Sequence, residues 1–217
     1  MCFSASASFS SAVVLLAVGT LTLKAARHRH EFFLAAIPLL FAIQQIIEGV
    51  LWLTFSNDAA LLNVAMTYLY SFFSHVLWPI YLPLSVLLIE PPGRSRWVLA
   101  AFLAIGVVVG SYLLLAMVIF GITSRPAGQH IEYVAPHFFG MATMSAYLLA
   151  TTMTPVLSTH RMVKLFGILA FLSFASAYYF YTTWFISVWC FFAALLSMLI
   201  LAHFYWRAST RKSRMGF

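Results

Sequence analysis

Long apolar runs, broken by short polar or basic turns, dominate the chain. A bilayer core about 30 Å thick takes about 20 helical residues at 1.5 Å each. By that ruler the pattern predicts seven membrane-crossing helices, over 9–23, 32–55, 61–89, 97–122, 137–157, 165–181 and 183–206. The first and sixth runs are short and are expected to extend into their flanks. Backbone groups in hydrocarbon must pair within their own segment unless a closed barrel forms, and these runs lack the alternation a barrel needs. The expected fold is an all-α integral membrane protein. It comprises a single seven-helix bundle over residues 1–206 and a basic cytoplasmic tail over 207–217.

The basic residues fix an expected orientation. Lys24, Arg27 and Arg29, then Arg94 and Arg96, then Arg161 and Lys164, and finally Arg207, Arg211, Lys212 and Arg214 all fall on one side of a seven-span chain. The opposite side carries Arg125. Lysine and arginine collect on the cytoplasmic side, so the N-terminus is expected outside and the C-terminus in the cytoplasm. The bilayer, and most simply a bacterial inner membrane, is the expected surrounding. Composition agrees: 63% of the residues are hydrophobic and 8% charged, too few charges to cover a water-soluble surface. The net charge of +7 raises nucleic acid as a partner, but clustering of the basic residues between apolar runs argues against it. The two cysteines, Cys2 and Cys190, are too few for a disulfide framework.

Polar residues inside the apolar runs carry the candidate chemistry, because an ionisable group in hydrocarbon costs at least a few kcal/mol. Gln44, Glu48 and Trp52 recur every fourth residue and share a helix face, with Gln45 beside them. Ser71, Ser74, His75 and Trp78 occupy the next run, with His75 at about the depth of Glu48. The outer connection 123–136 is long for a helix–helix loop and holds His130, Glu132 and Tyr133, followed by His137. Tyr178, Ser187 and Cys190 lie in the outer halves of the last two runs. One outward-facing polar pocket accounts for this convergence.

Two imidazoles and a carboxylate suit zinc, so the sharpest expectation is a metal site of Glu48, His75 and His137, with His130, Cys2 and Cys190 as further donors. An open fourth position would let bound water act as nucleophile on a small or lipid-like substrate. Glu48, Ser74 and Tyr133 are the catalytic candidates of such a hydrolase. Gln44, Gln45, Trp52, Trp78, Tyr178 and Ser187 would line its pocket. Removal of Met1 would place an amine beside the Cys2 thiol, a further chelating pair. The same residues fit a hydrogen-bonded Glu48–His75 pair that pins two helices together. A faint likeness between 27–48 and 161–182 suits a small transporter or channel of three-plus-one-plus-three design. An accessory subunit holding haem between His75 and His137 is the third reading.

The opening Met1-Cys2-Phe3-Ser4-Ala5, the stretch Pro38 to Trp52 with Gln44-Gln45 and Glu48-Gly49, the segment Ser74-His75-Val76-Leu77-Trp78-Pro79 and the outer residues His130 to His137 resemble a bacterial family of small multi-pass membrane proteins of unknown function. The resemblance spans most of the chain and implies membrane topology without an assigned activity. Microbial rhodopsins share the size and orientation but need a lysine within the seventh helix. Here Lys24, Lys164 and Lys212 lie at inner ends, so no retinal is expected. Alkaline ceramidases and related receptors hold zinc with histidines, an aspartate and a serine. His75, His137, Glu48 and Ser74 make an analogous set in a different order and spacing.

Overall fold

The computed structural model describes residues 4–57, 59–134, 140–180 and 184–214, with all their side chains except those of Arg94, Phe185 and 207–214. Helix α1 is Ala5–Ala25, α2 is Glu31–Ser56, α3 is Ala60–Ile89 and α4 is Arg94–Phe120. A hairpin of β1 (Thr123–Ala127) and β2 (His130–Val134) follows. Helix α5 covers 141–157 and α6 is Arg161–Phe180. Helix α7 runs as Phe185–Leu196 and then Met198–Arg214, so the stretch expected as a tail continues the helix as far as Arg214. Both short runs extend into their flanks as expected, the first to Ala5–Ala25 and the sixth to Arg161–Phe180.

Among the described residues six helices are long and apolar enough to cross a membrane, where the sequence predicts seven. The exception is α5. Its helical stretch is roughly 17 residues, or ~25 Å at the helical rise, and residues 135–139 before it lie outside the description. The connection after α4 also departs from expectation, since its residues 123–134 form an antiparallel hairpin in place of an irregular loop. Gly121 (φ 74°) turns the chain out of α4 and Gly128 (φ 63°) makes the hairpin tip, both in the left-handed region that glycine enters at little cost.

Helix α1 shows why these runs pack as they do. Its buried residues Ser8, Ala12, Leu15, Gly19 and Thr22 follow the 4–3 spacing of a tight helix seam. Small side chains let backbones approach. A Cβ on Gly19 would come within 2.8 Å of the Leu39 amide nitrogen, and one on Gly49 would meet the Phe9 ring at 2.8 Å. The seam thus sets α1 antiparallel along α2.

Two acidic residues close the end of the bundle where the basic turns lie. Glu31 reaches back to accept from the Arg27 and His28 amides, at 2.8 and 3.3 Å, which caps the start of α2. Glu90, at the end of α3, accepts from Ser95 Oγ (3.0 Å), Ser158 Oγ (3.1 Å) and the Thr159 amide (3.1 Å). One buried carboxylate therefore ties α3, α4 and the α5–α6 turn. His160 adds a contact from its Nε2 to the Ile89 carbonyl at 3.1 Å.

Prolines shape α3 and α5. Residues Phe72–Leu77 are wound as a π-turn, with the Trp78 amide bonding five residues back to Phe73. In that register the Ser74 carbonyl would take the amide of residue 79, which is proline and has none. The Tyr147 hydroxyl donates to it instead and links α5 to α3. Helix α5 repeats the device: a π-turn over Leu149–Met153 precedes Pro155, and Thr154 Oγ1 serves the Ala150 carbonyl at 2.7 Å. Such single π-turns recur at functional sites.

Candidate functional site

The face of α2 expected to be polar is buried: Gln44, Gln45 and Glu48 are each 0% exposed. Glu48 sits eight residues before the end of α2, ~12 Å along the axis. Its carboxylate accepts from Ser187 Oγ of α7 at 2.8 Å and from Gln45 Nε2 at 3.3 Å. Gln44 Oε1 accepts from the Trp78 indole of α3 at 2.7 Å, and that indole stacks on Phe41 at 3.9 Å. The Cys190 thiol, free and buried, lies beside the Gln44 amide, the Tyr70 hydroxyl and the Glu48 carboxylate. Helices α2, α3 and α7 thus meet on one polar cluster.

His75 is 1% exposed. Its Nδ1 lies 3.1 Å from the Ser71 carbonyl and 2.7 Å from Ser74 Oγ. A carbonyl only accepts, so a bond to Ser71 requires the proton on Nδ1, and in the neutral ring that leaves the lone pair on Nε2. Metal-bound histidines are commonly oriented this way, by a backbone carbonyl on the other ring nitrogen. Tyr147, Tyr70 and Ser71 belong to this cluster; the sequence pointed to neither tyrosine and named Ser71 only as a polar residue of its run. For Tyr70 and Ser71 a signal existed, because 70, 71, 74, 75 and 78 share one helix face. For Tyr147 the only cue was the proline five residues after Ser74.

The hairpin covers the cluster. Tyr133 is buried and stacks on Tyr70, with ring centres 4.5 Å apart and planes 6° from parallel. His130 is likewise buried and stacks on Trp184 at 4.5 Å; burial pushes its imidazole pKa down. On the face opposite Tyr133, which also carries His130, Arg125 and Glu132 pair at 2.7 Å, an exposed contact that raises the pKa of the guanidinium. Such exposed pairs contribute little to stability.

Inward of the cluster lies a cavity of about 30 Å³, as traced by the centre of a water-sized sphere, with Trp78, Tyr147, Thr151, Trp189 and Cys190 among its lining residues. Its lining is almost wholly apolar. Trp52 is half-buried and meets Phe55 edge-on, one turn beyond Glu48 toward the end of α2. Tyr178 is 45% exposed and stacks on Phe174. His137 and Cys2 lie outside the described residues. Among the described residues no three histidine, cysteine, aspartate or glutamate side chains gather about one point, and the expected trio Glu48, His75 and His137 includes a residue outside them.

The Trp78–Gln44 contact joins α3 to α2 and yields a direct test. Trp78→Phe keeps the ring stack but removes the indole donor. A loss of about 1–2 kcal/mol in detergent-denaturation stability is expected, falling to near zero in a Gln44→Leu background.

The fold and cluster define the class: a mostly helical protein with six membrane-length helices among its described residues, and with polar chemistry buried near the end that carries the hairpin. The profile of DUF6629, a family of unknown function, matches residues 1–215, and the chain belongs to that family. No curated protein and no solved structure matches it.

Proposed function

We propose that this chain is a seven-span membrane protein, N-terminus outside, whose cluster around Glu48 and His75 is an outward-facing metal site. Helix α5 supplies the seventh span. The apolar surface favours lipid as its surrounding: Val108, Leu115, Val118 and Ile119 of α4 are all more than half exposed, and a contiguous apolar face of this kind is not stable in water.

The observation that carries the metal reading is His75. Its ring is buried, with Nδ1 3.1 Å from the Ser71 carbonyl, and Glu48 on the neighbouring helix is buried as well. Among the described residues Glu48 is the acidic side chain set within the middle of a membrane-length helix. Glu48 and His75 would hold the ion with His137, and zinc suits that donor set best. A bound zinc would supply a water of lowered pKa for hydrolysis.

Elemental analysis and an absorption spectrum of protein purified without chelator test this. About one transition metal per chain is expected in the wild type, with loss of most of it in Glu48→Gln and in His75→Gln. A Soret band would reassign the site to haem. Metal-free wild type that also fails to take up zinc on titration would overturn the reading.

A second reading is favoured by the bonds from Ser187 to Glu48 and from Trp78 to Gln44, which each join two helices. On that reading the cluster is helix glue, the wild type is metal-free, and Glu48→Gln lowers stability alone.

A further inference from the structure

We infer that the β1–β2 hairpin is a lid over the polar cluster, seated in part by two ring stacks, and that it governs entry of a small polar ligand to Glu48 and Cys190. The inference deepens the binding-site reading and rests on it.

A two-stranded hairpin is at best marginally stable by itself, so this one is kept in place by what it packs against. Its strands pair in register from Thr123↔Val134 to Ala127↔His130, and β2 buries His130, Ile131 and Tyr133. The contacts with the helices are discrete. Tyr133 lies flat on Tyr70 of α3, His130 lies flat on Trp184 at the start of α7, and Ser124 Oγ meets Thr67 Oγ1 at 2.6 Å. Gly121 and Gly128 bracket β1 with left-handed turns. Ile131 and Tyr133 also join the apolar core, so the hairpin is seated by that anchor together with the stacks and the hydroxyl pair.

The path beneath the lid is continuous. Tyr133 covers Tyr70, and the Tyr70 hydroxyl lies beside Cys190, which in turn neighbours Glu48 and Gln44. Lifting Tyr133 frees Tyr70 to turn away, and the next groups met are the thiol and the carboxylate. With the lid seated, Cys190 is 5% exposed, Tyr70 0% and Glu48 0%. A ligand cannot reach the carboxylate past Tyr70 in this arrangement.

Cys190 is a built-in reporter. In a Cys2→Ser background the protein is placed in lipid nanodiscs, where both faces are open, and treated with a small charged maleimide. Modification of Cys190 is followed by mass spectrometry. Tyr133→Ala is expected to speed labelling about tenfold, the upper end for loss of one ring stack. The double variant T67C/S124C, oxidised so that the new cysteines bridge, is expected to slow Cys190 labelling at least tenfold relative to the parent. Because the bridged protein keeps every lid contact except the Thr67–Ser124 hydroxyl pair, its result stands even if Tyr133→Ala folds poorly. Labelling of the bridged protein at the parental rate would overturn the lid. Labelling needs no bound metal, so a failed lid and a metal-free site are separate results.

Discussion

Gly106→Ala is expected to be the most damaging single methyl in the protein, lowering stability by about 3 kcal/mol or more. A Cβ at Gly106 of α4 would lie 1.8 Å from the Pro79 carbonyl oxygen of α3 and 3.4 Å from the Ala150 Cβ of α5. The obstructing atom is backbone, so no rotamer change relieves it. The carbonyl is where it is because Pro83, four residues on, has no amide hydrogen to offer it and its ring pushes that carbonyl aside. The oxygen then faces the hydrogens of the glycine Cα, a weak contact that only a residue without a side chain permits. Ordinary carbon–oxygen contact is about 3.3 Å, so α3 and α4 would have to part by roughly 1.5 Å. That would disturb the α3–α4–α5 junction next to the π-turns. Thermal unfolding in detergent checks this, with a drop of about 10 °C expected at ~2–4 °C per kcal/mol. Gly93→Ala is the control, since nothing lies within 4 Å of a Cβ there. Equal midpoints for the two variants would show that the helices part freely at this junction.

The features legible in the sequence were those with a long period or a high cost. Membrane-length apolar runs reveal themselves without any tertiary information, and so does a glutamate placed among them. The face formed by Gln44, Glu48 and the neighbouring Gln45 is buried as the helical spacing required. What stayed hidden depends on partners distant in sequence. Ser187 is an ordinary serine until Glu48, 139 residues away, is found 2.8 Å from it. The hairpin was hidden because its alternation covers only five residues per strand and includes Pro126, which reads as a loop residue. The π-turns have no pattern of their own. They follow from prolines whose effect is felt one turn upstream, and the Tyr147 hydroxyl that repairs Ser74 lies 73 residues away. The metal set could be proposed from residue types, but two of its donors, His137 and Cys2, lie outside the described residues, and the others do not gather as a trio.

Glu90→Ala is expected to cost about 3–5 kcal/mol, and for a reason that separates it from Glu48. The chain has five acidic residues. Glu31 caps α2, Glu132 pairs with Arg125, and Glu90 sits at a helix end, where backbone amides and hydroxyls converge on it. Removing its carboxylate leaves Ser95, Ser158 and the Thr159 amide without their acceptor in a site where Glu90 itself is 2% exposed. A buried donor so stranded costs about 1–3 kcal/mol, and three are affected. Neighbouring water entering from the basic end would recover part of the loss, which keeps the total below the simple sum. Glu90→Gln retains one acceptor oxygen but turns an amide group toward the Thr159 donor, so its stability should fall between wild type and alanine. Trypsin cleavage after Arg161 and Lys164 gives a local readout, because the α5–α6 turn is released when the clamp is lost. Metal content should be unchanged in Glu90→Gln, whereas Glu48→Gln should lose metal with a smaller change at the α5–α6 turn. If both carboxamide variants shed metal equally, the stoichiometry would be tracking overall stability, and Glu48 would have no claim to be a ligand.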